Sequence, residues 1–197
     1  MKSDAKTFSL PARILHWLMA AMILAMLFIG VGMVASVSER HEWLLRIHKP
    51  LGIAILILAV VRLAVRLRHP PPALPADLPA VQKLAAHASH WLLYILMLAM
   101  PLIGWAMLSA GGYPVMLSDS LRLPPIFPTS PVAFAVLRHM HSWFAMLLFL
   151  TFIAHMAAAL YHGLIRRDGV LSSMVRGEKK AGEELYSLTQ EAGTDDS

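Results

Sequence analysis

The chain has 197 residues, of which 57% are hydrophobic and 15% charged, with a formal net charge of +5 and no cysteine. Soluble domains carry about 25% charged residues, so this composition excludes an ordinary soluble protein. The lack of cysteine excludes disulfides, thiolate metal sites, iron–sulfur clusters and haem attachment through a Cys-x-x-Cys-His motif. Any cofactor must therefore bind through histidine or carboxylate side chains.

Four apolar stretches are each long enough to cross a hydrocarbon core of about 30 Å, which takes about 20 helical residues. The first is longer than the core of a secretory signal and contains His16 and Trp17, which predicts a retained helix. The sequence therefore predicts an all-α integral membrane protein built as a four-helix bundle. The predicted helices cover residues 13–36, 43–67, 87–109 and 139–165.

The connections between these helices differ in length and composition. Residues 36–42 are a brief link, which predicts that helices one and two are antiparallel neighbours. The proline-rich residues 70–79 predict an extended segment, because proline lacks the amide donor of a helix. Residues 111–138 form the longest connection and are predicted to cover the outer mouth of the bundle. The polar and mostly acidic residues 171–197 predict a disordered cytoplasmic tail that follows a single domain.

Basic residues are distributed by topology. Twelve of the seventeen fall on segments that share one side of the predicted bundle. By the positive-inside rule this side, with both termini, faces the cytoplasm. The same distribution argues against a nucleic-acid partner, because it forms no single recognition patch. The twelve are Lys2, Lys6, Arg13, Arg62, Arg66, Arg68, Lys83, Arg166, Arg167, Arg176, Lys179 and Lys180.

Histidines within membrane helices are costly and usually face the bundle interior for a functional reason. His141 and His155 are fourteen residues apart on the fourth helix. At about 100° and 1.5 Å per residue, they share one face at depths about 21 Å apart. This spacing predicts two haem sites between helices, since an electron-transfer haem takes two axial ligands.

Helices one and two supply the partners that these two sites need. The sequence pairs His16 with His155 for an inner haem and His48 with His141 for an outer haem. His16 is closer to the predicted membrane surface than His155, so the inner pair requires helix tilt. Other residues are alternatives or additions to this set: His87, His90 or His162 as an inner ligand, and Arg62 as a partner of a haem propionate.

Two other readings of these histidines stay open from the residues alone. Histidines near helix ends also cap helices or form hydrogen bonds within a bundle without binding a cofactor. A transporter of copper or zinc lined by histidine and methionine is a second alternative, in a different functional class.

The chain resembles the bacterial cytochrome b561 family over about residues 7–170. The motifs occur in the family's order on all four helices, although each is weak by itself. They are Ile14-Leu15-His16-Trp17, Ile47-His48-Lys49, Val61-Arg62-Leu63, Ala86-His87-Ala88-Ser89-His90 and His155-Met156-Ala157-Ala158-Ala159-Leu160-Tyr161-His162.

The resemblance implies two b haems, ligated at the positions of His16, His48, His141 and His155, in a bacterial inner-membrane protein. It also implies electron exchange with ubiquinone. Some members of the family resemble superoxide oxidases, which pass electrons from superoxide to the quinone pool, whereas others are electron-transfer subunits of larger respiratory complexes. In this chain Arg122 and Arg138 are candidates for steering an anion, although Asp119 offsets their charge.

Overall fold

The computed structural model describes residues 7–35, 37, 39–118 and 120–175. Four of its helices are long and apolar enough to cross a membrane, which confirms the predicted all-α membrane bundle. The elements in chain order are α1 (Leu10–Val34), α2 (Glu39–Arg68), α3 (Ala80–Ala110), β1 (Val115–Met116), β2 (Arg122–Leu123), α4 (Pro131–Leu160), a π-helical turn (Tyr161–Arg166) and α5 (Val170–Val175).

Helix boundaries follow capping residues more closely than hydropathy. α4 begins at Pro131 rather than at the predicted 139, because the Ser130 side chain accepts a hydrogen bond from the Ala133 amide and caps the helix. α3 begins at Ala80 rather than 87, directly after Pro79. Both helices therefore extend beyond the apolar stretch that predicted them.

The bundle is formed by neighbouring helices that pack in chain order. α1 packs on α2, α2 on α3, and α3 on α4. Few residues of each membrane-spanning helix are fully buried, and large apolar side chains such as Phe28 and Trp143 are exposed, which suits contact with lipid. One central cluster is buried at the middle of the bundle: Met19, Ile23, Ile55, Ala59, Tyr94 and Met97.

Residues 111–130 fold over one end of the bundle, which we call the loop end. β1 and β2 form a short antiparallel ladder within this connection. The indole of Trp105 donates a hydrogen bond to the Pro124 carbonyl, and Ser109 accepts one from the Ile126 amide. The connection is therefore held onto the last turns of α3.

The opposite end of the bundle, where α1 begins and α4 ends, is called the terminal end. There the chain turns through Arg167, whose positive φ of 53° is left-handed, into α5. Arg13 and Trp17 of α1 donate hydrogen bonds to the Met174 carbonyl. We call residues 161–175 the terminal strap, because they connect α4 to α1 across this end.

The predicted tail lies mainly outside the described residues. Of residues 171–197 only 171–175 are described, and these belong to α5. Asp119, which was expected to offset the charge of the long connection, also lies outside the described residues.

Candidate functional site

At the loop end, His48 of α2 and His141 of α4 face each other. Their ring centroids are 6.1 Å apart, with an angle of 64° between the rings. The Nδ1 atom of each ring is buried and has no hydrogen-bond partner. The Met100 carbonyl lies near His141 without forming a hydrogen bond of acceptable geometry. A buried ring nitrogen without a partner is costly in a merely structural role, so two such nitrogens facing each other favour a role beyond packing.

The space around this pair is apolar and has little room for extra side-chain atoms. A Cβ added at Gly104 would stand 3.3 Å from Cε1 of His141, and one at Gly52 would stand 3.8 Å from the Met26 side chain. The lack of a side chain at Gly104 therefore leaves room for the His141 ring, whereas a Cβ at Gly52 would make only an ordinary van der Waals contact. The cavity is lined by Ile23, Met26, Leu27, His48, Gly52, Ile55, Met97, Met100, Pro101, His141 and Leu148.

Three histidines meet near the terminal end. The His16 ring of α1 and the His155 ring of α4 have centroids 6.3 Å apart. The His90 ring of α3 is closer to His155, with a centroid distance of 5.3 Å. All three side chains are half-buried. The structure therefore assembles the predicted inner pair and places one of the alternative ligands beside it.

The separation of both predicted pairs fits two imidazoles on opposite sides of one metal ion. Metal–nitrogen bonds of about 2.0 Å, with each ring centre about 1.1 Å behind its nitrogen, place opposed rings about 6.2 Å apart. The pairs formed by His16 with His155 and by His48 with His141 agree with this separation. The pair of His90 with His155 is about 1 Å too close for it.

The mismatch in depth expected for the inner pair has a structural explanation. His16 follows the start of α1 at Leu10 by about as many residues as His155 precedes the end of α4 at Leu160. The residues between Leu160 and Arg166, which made His155 look deeper than His16 in the sequence, belong to the π-helical turn beyond α4. The two histidines are therefore at matching levels of the straight helices.

The other alternative ligands lie outside this group. His87 is exposed, and its Nδ1 is 2.7 Å from the Lys83 carbonyl, which accepts a hydrogen bond within α3. His162 donates from Nδ1 to Asp168 in the terminal strap, at 2.5 Å. Neither ring contacts the His16 and His155 pair.

Asp168 is the centre of an ion-pair network in the strap. Arg166 contacts this carboxylate at 3.4 Å and also pairs with Asp77 of the proline-rich connection. Burial raises the pKa of the Asp168 carboxyl, but the hydrogen bond from His162 and the nearby Arg166 outweigh it and hold the pKa below its usual value. The network ties the strap to the connection between α2 and α3.

Arg62 lies at the terminal-end group, where the sequence placed it as a partner of the cofactor. Its Nη2 donates to Nδ1 of His16 at 2.8 Å, and its Nε donates to the Tyr94 hydroxyl at 3.1 Å. Sequence reasoning missed Tyr94, because an aromatic residue within an apolar helix is usually packing. It also missed the contact between Gly104 and His141, which no spacing pattern within one helix reveals.

Both histidine pairs suit b-type haem. Each offers two imidazole nitrogens from facing helices, and the loop-end pair sits in a cavity with a mainly apolar lining. When bound, haem supplies one-electron chemistry between its ferric and ferrous states. The protein provides ligation, orientation and an apolar environment.

Comparisons with known proteins identify the family of the chain. The prokaryotic cytochrome b561 family matches residues 7–177. The chain is 30% identical to the probable superoxide oxidase CybB of Yersinia pestis, over 85% of this chain and 94% of that protein. It is 29% identical to cytochrome b561 homolog 2 of Escherichia coli, over 81% of this chain and 86% of that protein.

A third relative, cytochrome b561 homolog 1 of Escherichia coli, is 28% identical over 84% of this chain and 94% of its own length. The matches extend across the four membrane helices rather than over one motif. They identify the chain as a bacterial membrane cytochrome of the b type that carries electrons. The chain belongs to the prokaryotic cytochrome b561 family.

Proposed function

We propose that this protein holds two b haems and relays electrons from a donor at the loop end to ubiquinone in the membrane. The observation that carries the proposal is the presence of two histidine pairs at two depths, each with the ring separation that one metal ion between two imidazoles requires. His16 with His155 and His48 with His141 are the proposed ligands. Two sites along the bundle shorten each electron-transfer step across the membrane.

The proposed orientation places the terminal end in the cytoplasm of a bacterial cell. The predicted cytoplasmic segments hold twelve of the seventeen basic residues, and this excess favours their retention on the inner side. The loop end then faces the periplasm, and a donor reaches the His48 and His141 pair from there.

Superoxide is the proposed donor, since a relative that matches over nearly its whole length is named a probable superoxide oxidase. Each superoxide would lose one electron and become dioxygen. Ubiquinone would accept two such electrons and two protons and become ubiquinol. Two superoxide anions are therefore consumed for each ubiquinol formed.

The test supplies purified protein with a short-chain ubiquinone and a constant enzymatic flux of superoxide, and measures ubiquinol. We expect one ubiquinol for two superoxide anions, loss of this activity in His141→Ala, and retention in His139→Ala. His139 is a matched control, because it is exposed and two residues away on α4. Haem that superoxide does not reduce would exclude superoxide as the donor, and reduced haem that ubiquinone cannot oxidise would contradict the relay.

Arg122 and Arg138 are exposed at the loop end and provide positive charge for an anionic donor. We expect Arg138→Ala to slow haem reduction by superoxide several-fold at low ionic strength and little at high ionic strength, because salt screens steering by exposed charges. An unchanged rate at low ionic strength would remove the steering role and leave the oxidase activity in place.

A further inference from the structure

A cluster of cations lies beside the histidines of the terminal end. Arg62 follows His48 by fourteen residues on α2, which places it on nearly the same helix face about 21 Å nearer the terminal end. There its guanidinium contacts His16 and the Tyr94 hydroxyl. α2 therefore carries the proposed ligand His48 near the loop end and Arg62 near the terminal end.

Arg66 joins this cluster one helical turn further along α2. The guanidinium carbons of Arg62 and Arg66 lie 5.7 Å and 5.5 Å from the centroid of the Tyr94 ring, which is only 5% exposed. One buried aromatic ring thus holds both cations close together. A small cavity opens beside them, lined by Phe8, Ala12, Arg62, Arg66, His69, Pro71, Tyr94 and Met174.

Among the described residues, no carboxylate balances the positive charge of this cluster. Within residues 7–35, 37, 39–118 and 120–175, neither Arg62 nor Arg66 forms an ion pair with an acidic side chain. Half-buried cations at the edge of a membrane core are costly unless an anion accompanies them. The cluster is therefore suited to an oxyanion that the described residues do not supply.

The contact between Arg62 and His16 is incompatible with haem ligation through Nε2 of His16. A guanidinium only donates, so Nδ1 of His16 accepts and its Nε2 carries the ring hydrogen. A neutral imidazole that binds iron through Nε2 must carry its hydrogen on Nδ1 instead. This hydrogen bond and ligation by Nε2 exclude each other, so haem binding frees Arg62 for another acceptor.

We propose that Arg62 and Arg66 bind the propionate carboxylates of the haem held by His16 and His155, and that their charge makes this haem the more readily reduced of the two. The inference rests on the proposed function, since it requires two haems. Nearby cations stabilise the state that holds one more electron. The lining of the cavity at His48 and His141 contains no lysine or arginine, and Arg122 and Arg138 at that end are exposed, where water and salt screen their charge. The terminal-end haem would therefore hold an electron more strongly than the loop-end haem.

The test is a spectroelectrochemical titration of the full-length holoprotein in neutral detergent. We expect Arg66→Gln to shift the reduction equilibrium of one haem toward the oxidised form by about threefold to tenfold, where tenfold is 59 mV for a one-electron couple. The wave that shifts should be the one lost in His155→Ala. Arg66→Lys should keep most of the wild-type potential.

Arg68→Gln is the matched control, because it removes the same charge from the exposed last turn of α2. Two haem waves that move equally in Arg66→Gln and Arg68→Gln would overturn the inference. So would a selective shift that appears only in nanodiscs with anionic phospholipid and not in neutral detergent, because a lipid phosphate would then occupy the site. A single unresolved wave in a wild-type protein that contains two haems per chain would also overturn the inference. Fewer than two haems per chain by pyridine haemochrome would instead contradict the proposed function itself, which is a distinguishable failure.

Discussion

Three histidines lie together at the terminal end, and substitution distinguishes the two proposed haem ligands from their neighbour. His155 is common to both possible pairs, whereas His16 and His90 are alternatives. We expect His16→Gln to lose one haem and His90→Gln to retain both. Haem content per chain then falls from two to one in the first variant, which halves the haemochrome absorbance.

The ring separations explain why His16 rather than His90 is expected to be the second ligand. The centroids of His16 and His155 are 6.3 Å apart, which matches two imidazoles with metal–nitrogen bonds of about 2.0 Å. The centroids of His90 and His155 are 5.3 Å apart, so α3 and α4 would have to separate by about 1 Å to admit a metal ion between them. Closely packed helices resist such a displacement along their whole contact.

The assay is pyridine haemochrome quantification of purified variants, normalised to protein. His87→Gln is the control, because this exposed ring contacts only the first turns of its own helix. Retention of both haems in His16→Gln together with loss of one in His90→Gln would refute the reasoning from ring separation. It would show that His90 and not His16 completes the terminal-end site.

Two further predictions concern the loop-end cavity and the terminal strap. Gly104→Val should lower occupancy of the loop-end haem, because its Cβ would stand 3.3 Å from the His141 ring; difference spectra measure this, with Gly30→Val as a control at a position that has open space. Asp168→Asn should lower the free energy of unfolding by about 2 kcal/mol in thermal denaturation at pH 7, since it weakens hydrogen bonds to a charged group. Because the pKa of Asp168 is held low, its contribution to wild-type stability is present above about pH 4 and lost as the pH falls through that lowered pKa. Equal stability of the variant and wild type at pH 7 would contradict the role of this carboxylate.

The helices were predictable because the membrane demands about 20 apolar residues for each crossing. The ends of the helices were harder to predict, since α3 and α4 begin before their apolar stretches, directly after the local signals at Pro79 and Ser130. Those signals are visible in the sequence, but hydropathy does not weigh them. The π-helical turn at Tyr161–Arg166 has no comparable signal, because it depends on contacts of the strap with other parts of the chain.

The pairing of histidines was predictable in part. The spacing of His141 and His155 fixes their common face and their separation in depth. The neighbour of each ring depends on how helices pack, and periodicity within one helix contains no such information. For this reason the position of His90 beside His155 and the hydrogen bond from Arg62 to His16 appear only in the structure.

The central claim is that this bundle holds two b haems, one for each histidine pair. A reduced-minus-oxidised spectrum combined with pyridine haemochrome quantification of the detergent-purified protein tests it most directly. We predict two b haems per chain, with one lost in His141→Ala and one in His155→Ala. One haem per wild-type chain would remove one of the proposed sites, and none would contradict the account.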